Sequence, residues 1–452
     1  MYRFIFICCL ALIGACEPSA KLVADKVFIG ENIITMDKAM PSASAVAIKA
    51  DEIIFVGSRD KVNTIVGDTT QIVELGDKAL IPGFIDSHGH AAGLAAMMNF
   101  INASSPPVGP VENINDILEL LRERIEQSSP STNKWIVAYG YDDSLLAENR
   151  HPTRDDLDKV SKDKPIYLIH VSAHLGSANS AALAALGIDE NTPNPEGGVF
   201  RRYPNSTKPN GVVEESASHM MMGSHLFSDL KNPLKLIETI DKTFEYIASF
   251  GITTMQDGAS DHRLVTALRA FDLVRNVPLD TVVFQAAKDG SMPLPLKKLQ
   301  KKTDGTYRGN ARLGGVKLIL DGSPQGRTAW LTQPYHENPT GIDGPYSAYP
   351  TSKPALFKQT TKQLLQNRIP ILVHANGDAA IDLAMDAVEE AFAGQAIPDH
   401  RSVIIHSQVM RPDQLERAAK LKMVPSFFVS HTFFWGDWHR KSFGEQRAAH
   451  IS

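Results

Sequence analysis

Leu80-Ile81-Pro82-Gly83-Phe84-Ile85-Asp86-Ser87-His88-Gly89-His90 decides how this chain is read. A short apolar run punctuated by Pro and Gly is the pattern of a strand buried on both faces, as in parallel sheets covered by helices. The run turns polar at Asp86 and then delivers two histidines two positions apart. In extended chain such positions share a face, so both imidazoles point the same way at the strand's end. Taken alone, a His-x-His pair is weak, because two part-buried histidines in a loop explain it better. The rest of the sequence has to decide.

Downstream, helix-like and strand-like runs alternate, which is the pattern of βαβ units in a parallel sheet. Residues 234–250 have helical periodicity. The strand candidates are Ile252-Thr253-Thr254-Met255, Leu279-Asp280-Thr281-Val282-Val283-Phe284, Val316-Lys317-Leu318-Ile319-Leu320, Pro370-Ile371-Leu372-Val373-His374, Ser402-Val403-Ile404-Ile405-His406 and Val424-Pro425-Ser426-Phe427-Phe428-Val429. With the strand ending at Ile85 these make seven. The expectation is an α/β fold, a (β/α)8 TIM-type barrel with seven strands present, built from residues 81–98 and 231–452. Such a barrel needs an eighth strand, and only a polar and aromatic tail follows Val429. The sequence therefore reads as truncated before strand 8.

Upstream, residues 22–80 carry short β-branched runs at the spacing of a small β-sandwich, the N-terminal part of a composite one. Residues 99–230 read as an inserted α/β subdomain, with a helix over 114–127 and strands around 135–140 and 165–169. Its stretch 191–211, rich in Pro, Gly and Asn, reads as loop.

His374 closes Ile371-Leu372-Val373, and His406 closes Val403-Ile404-Ile405, where barrel strands deliver side chains to the catalytic face. Four histidines at the ends of three parallel strands are poor core-packing residues. Each buried imidazole needs a partner, and converging protonated rings repel. A divalent cation resolves the conflict, and imidazole ligands suit zinc first, then other first-row metals.

The opening string also resembles the start of the amidohydrolase superfamily. More narrowly, Gly315-Val316-Lys317-Leu318-Ile319-Leu320-Asp321-Gly322-Ser323, Arg327-Thr328-Ala329 and Val373-His374-Ala375-Asn376-Gly377-Asp378 resemble the branch holding N-substituted formamide deformylases and exoenzyme-regulatory proteins. That resemblance spans nearly the whole chain after Ala20. It implies a metal-dependent hydrolase of a non-peptide C–N bond, an amide or formamide of a small molecule, attacked by a metal-activated water. It also implies one or two divalent ions held by His88, His90, Lys317, His374 and His406. Lys317 is either a carbamate bridging two ions or a plain lysine at a strand end. His174, with Asn179, is placed at the pocket roof, and Asp321, His431 and Glu215 as substrate contacts or supports behind the ligands. The general base expected from the family is an aspartate on strand 8, beyond Ser452, so the catalytic acid–base residue is not identified. Two alternatives stay open: a catalytically impaired homologue that only binds metal or ligand, and the same scaffold acting on a lactone, a phosphoester or an isomerisation.

Composition narrows the classes further. In 452 residues, 43% hydrophobic and 21% charged, 46 basic against 51 acidic side chains leave a formal charge of −5. Nothing in this balance calls for nucleic acid, and the cluster Lys297-Lys298 with Lys301-Lys302 reads as a solvated face. The apolar run after Arg3, residues 4–15, is a signal h-region, too short to span a bilayer. Ile13-Gly14-Ala15-Cys16 resembles a bacterial lipobox, with residues 1–15 as signal peptide, Cys16 as the lipidated residue and 16–21 as tether. Export to the cell envelope, with a membrane-anchored domain outside the cytoplasm, is the corresponding expectation. With Cys8 and Cys9 in the leader, no disulfide or Cys-based metal site remains after cleavage. The oligomeric state is left open.

Overall fold

The computed structural model describes residues 22–127, 135–223, 226, 232–275, 277–287, 290–339 and 342–451. The signal-peptide and tether readings and Cys16 lie outside the described residues. The chain divides into two compact units at Phe84/Ile85. Among the described residues no helix is long and apolar enough to cross a membrane.

In the first unit, strands Lys26–Asp37 (β1), Met40–Lys49 (β2), Glu52–Gly57 (β3) and Gln71–Glu74 (β4) form one sheet in the order β3-β2-β1-β4. β1 pairs antiparallel with β2 and parallel with β4. Alternation along β1 and β2 sends Val27, Ile29, Ala45 and Ala47 into one small cluster and Ile33 and Val46 into another. The expected sandwich is thus represented by a single layer here, because a period of two locates strands without telling one sheet from two.

The second unit opens within the strand Phe84–Gly89 (β5), at its second residue. Its inserted part carries Ile101–Asn102 (β6), Ile136–Tyr141 (β7), Ile166–His170 (β8), Leu175–Ala178 (β9), Gly198–Arg202 (β10) and Pro209–Glu215 (β11), in the order β10-β11-β9-β8-β7-β6. The segment read as loop, 191–211, is corrected here: most of it folds into the β10/β11 hairpin, and β11 pairs with β9. Its Pro and Asn residues fall in the lead-in 191–197, in the turn and at the start of β11, while Val199, Phe200, Val212 and Val213 supply the strands. The helix Ile114–Glu126 starts at a capping box between Asn113 and Asp116 and buries Ile117, Leu118 and Leu121 against this sheet's neighbours.

The remaining strands are Ile252–Ser260 (β12), Asp280–Ala286 (β13), Ala311–Ile319 (β14), Ile371–Ala375 (β15), Val403–His406 (β16) and Val424–Phe427 (β17). They form a parallel sheet in the order β17-β16-β15-β14-β13-β12-β5. Val283, Val316, Leu318, Val373 and Ile404 face outward under the helices Pro354–Gln366 and Asp378–Ala391. The alternate residues Phe284, Leu372 and Ile405 form a separate inner cluster. This sheet is strongly curled. β16 and β5 are five places apart in the order, which in a flat sheet would separate them by about 24 Å at ~4.8 Å per strand. The rings of His406 and His88 nevertheless lie 5.3 Å apart. The sheet is therefore most of a TIM-like barrel, with no ladder joining β17 to β5 among the described residues.

Candidate metal centre

Inside the curl, the strand ends converge on a cavity of about 850 Å³. His88 lies 5.0 Å from His90 and 5.3 Å from His406, and His406 lies 4.6 Å from His374, all measured between ring centroids. His174, from the inserted part, brings its ring to 4.7 Å from His374. Lys317, only 2% exposed, opens on the same cavity.

Local chain geometry explains each placement. Lys317 lies between outward-facing Val316 and Leu318, and His374 follows inward-facing Leu372 by two, so alternation carries both inward. His406 does not obey that rule. It shares parity with outward-facing Ile404, but its φ of +74°, followed by +50° at Ser407, breaks the alternation and brings its ring among the others. Non-glycine residues in this region cost of order 1–3 kcal/mol and cluster at functional sites.

The tautomers follow from the partners. His88 Nδ1 donates to Gln256 Oε1 at 3.3 Å, and its Nε2 is buried without a partner. His374 Nε2 sits between the Gly322 carbonyl at 3.1 Å, which accepts, and the Asn376 amide nitrogen at 3.0 Å, which donates. No hydrogen bond from a described residue reaches the rings of His90 and His406 or the Lys317 amine.

Burial, with Lys317 and His90 nearby, pushes His88 down to about 3. Desolvation by the crowded cavity wall, with Lys317, lowers His90 to about 4, although the residue itself is exposed at the cavity. Burial, joined by neighbouring histidines and Lys317, takes His374 and His406 well below the usual range. Burial lowers Lys317 to about 7. The shifts thus draw all four imidazoles toward their neutral form and Lys317 toward its free amine. This donor set fits a divalent first-row ion, and a neutral amine is the form that takes up carbon dioxide as a carbamate.

His174 differs from its neighbours. Burial disfavours its charge, but Glu215, whose Oε2 accepts from Nδ1 at 2.7 Å, prevails and raises its pKa. The other expected contacts lie behind the cavity wall. Asp321 is fully buried, and its carboxylate accepts from the backbone amides of Asn376, Gly377 and Trp330 at 3.0, 2.7 and 3.0 Å. Burial pushes it up to about 7 despite these donors. His431 is buried with its Nδ1 3.1 Å from His439 Nε2. Asn179 does not reach the cavity. It caps the helix Ser180–Ala185 and bonds the carbonyls of Ser161 and Lys164.

Gln256, Asp257 and His219 were not singled out from the sequence, in which Trp435 reads only as part of the loop after the seventh strand. Asp257, His219 and Trp435 line the cavity, and Gln256 fixes His88. The signal available for two of them was the polar ending Gln256-Asp257 of the β12 run. Met222 also faces the cavity, while Met221 is core and Met220 is exposed.

A second group, Asp142, Asp143 and His170, gathers ligand atoms within 4.8 Å. Its lone pairs are largely committed. Asp142 accepts from Ser144 and from Trp435 Nε1, and His170 Nε2 donates to Asp143 at 3.0 Å.

Residues 71–452, which include every residue of this centre, match the amidohydrolase family. The chain belongs to the amidohydrolase family. Membership implies a TIM-like barrel, a small-molecule substrate and a divalent metal, as the converging ligands also do. Among relatives of this amidohydrolase, exoenzymes regulatory protein AepA of Pectobacterium carotovorum subsp. carotovorum is 28% identical over 430 residues, 92% of this chain and 87% of that protein. The N-substituted formamide deformylase of Arthrobacter pascens is 25% identical over 423 residues, 91% of this chain and 74% of that protein. An uncharacterized metal-dependent hydrolase from Pyrococcus horikoshii ot3 superposes with a TM-score of 0.66 at 22% identity, covering 94% of this chain and 79% of that one, which supports the fold.

Proposed function

We propose that this amidohydrolase cleaves a non-peptide C–N bond, an amide or formamide of a small molecule, at a centre held by His88, His90, Lys317, His374 and His406, with zinc as the ion and Lys317 as its carbamate. The observation that carries this reading is geometric: neighbouring rings of His90, His88, His406 and His374 lie 4.6 to 5.3 Å apart, between centroids, around one cavity that the buried Lys317 also lines. A divalent ion bound there supplies polarisation of the scissile carbonyl and acidification of the attacking water.

The chain's own groups do the rest. Gln256 fixes the tautomer of His88, and Gly322 with Asn376 orients the ring of His374, as supporting partners of ligating histidines do. His174, held by Glu215, is the polar substrate contact from the inserted part. Leu94, Met97, Phe427 and Trp435 offer an apolar wall for a nitrogen substituent. Asp321 positions the loops after β14 and β15 rather than touching substrate. His431 acts likewise from behind Phe428, 6.0 Å away between ring centroids. The proposal extends to the cell envelope, with Cys16 as the lipid-bearing residue.

The test is hydrolysis of a panel of N-substituted formamides, other amides, lactones and phosphoesters by zinc-loaded and metal-stripped protein. Zinc-dependent turnover confined to the C–N substrates is expected, and turnover confined to esters of either kind would replace this reading.

A further inference from the structure

We infer that a second, smaller cavity, between Asp143 and His151 on one side and Arg201 and Trp438 on the other, is a binding pocket for a small carboxylate.

The cavity measures about 150 Å³, well below the size of ordinary ligand pockets but open to an ion such as formate or acetate. Three arginines, Arg150, Arg201 and Arg327, line it. Two are tied. Arg150 is held by Asp156 at 2.7 Å. Arg327 bonds Ser442 and the Asn338 carbonyl and stacks on Trp438 at 4.2 Å, while its Nη2, 3.2 Å from Glu337 as an ion pair, makes no hydrogen bond.

Arg201 differs from both. Its side chain is 16% exposed, and only its Nε is engaged, by Glu214. Neither terminal nitrogen has a hydrogen-bond partner among the described residues. A guanidinium edge with two free N–H groups matches the two oxygens of a carboxylate. The one acid lining the pocket, Asp143, is turned toward His170 at 3.0 Å and His151 at 3.6 Å. Burial disfavours its charge, but His151, His170 and Arg201 outweigh burial and keep it ionised.

Gln325 lines both this pocket and the metal-centre cavity, whose wall holds no arginine. This bears on the proposed reaction, on which the inference about the ligand's origin rests. Hydrolysis of an amide with water yields a carboxylate and, at neutral pH, a protonated amine. The arginine pocket is then where the acid product is held.

Binding can be read without turnover. With zinc-loaded full chain, ¹³C-formate and ¹³C-acetate are titrated by NMR, and inorganic phosphate is run as a separate arm. Saturable carboxylate binding is expected, abolished in Arg201→Ala and weakened about tenfold in Arg201→Lys, which keeps the charge but loses the fork. The lysine variant keeps the test decisive if removing the guanidinium from Glu214 prevents folding. Unchanged binding in both variants, loss of binding on zinc removal but not on Arg201 substitution, or binding of phosphate alone would each overturn the assignment. A chain that binds formate through Arg201 yet hydrolyses no amide would overturn the proposed reaction and leave the pocket standing.

Discussion

Glu215 holds His174 by a 2.7 Å hydrogen bond from a position with no solvent exposure and a φ of +49°. The pairing joins β11, through its last residue, to the turn after β8, so the inserted part reaches the metal centre through one oriented imidazole. Glu215→Gln keeps the size and removes the charge. We expect metal content to be unchanged and kcat/KM to fall about 10–100-fold, the usual cost of losing a carboxylate that orients a site histidine. Elemental analysis beside steady-state kinetics checks this. Loss of metal in His174→Ala would make His174 a ligand and refute its role as a substrate contact.

The ligand set predicts a graded response. His88→Ala or His374→Ala is expected to abolish stoichiometric zinc binding and lower kcat/KM by on the order of 10³-fold, about 4 kcal/mol. Gln256→Ala touches only His88 Nδ1 and is expected to weaken metal affinity by about 10–100-fold. Chelator competition separates the two classes. Equal zinc affinity in wild type and His88→Ala would dismiss the centre.

How much of this centre could be read from sequence depends on one property, the period of two along a strand. The direction of His374 was legible from inward Leu372 two residues before it, and that of Lys317 from the outward neighbours on either side, although its role as a ligand came only from the family resemblance. His406 was placed at a strand end correctly, but the extended pattern alone points it outward; the left-handed backbone at His406 and Ser407 is invisible in composition. The β10/β11 hairpin was missed because Pro209, Gly198 and Asn210 lie at its ends and masked the Val–Phe alternation between them. Gln256 and His219 could not be ranked, since what matters about them is proximity across the fold.

Asp321 provides a stability prediction. Its carboxylate satisfies three backbone amides on two loops, and no other described group replaces it. Asp321→Ala leaves those donors without their acceptor, at roughly 1–3 kcal/mol for each that stays buried. We expect at least about 3 kcal/mol of lost stability in urea unfolding, accompanied by weaker zinc binding because Asn376 and His374 move together. A variant as stable as wild type would show that water replaces the carboxylate.

Asp156 sets a pH dependence far from the metal. Burial opposes its charge, but Arg150, the Thr153 amide and hydroxyl, and Lys159 outweigh burial and hold its pKa below the ordinary carboxylate range. It also closes the capping box of the helix Arg154–Leu157. A carboxylate with a depressed folded pKa contributes stability above its unfolded value of about 4 and loses it as pH falls through the folded one. Arg150 is 43% exposed, so solvent screens the ion pair and the cap supplies most of the effect. Asp156→Asn is therefore expected to cost about 1–2 kcal/mol at pH 7. Urea midpoints for both proteins from pH 7 to pH 3 should differ by a constant amount down to about pH 5 and begin to draw together below about pH 4, the gap closing only as pH falls through the lower folded value. A gap that persists undiminished at pH 3 would mean that the carboxylate's charge is not what holds this turn.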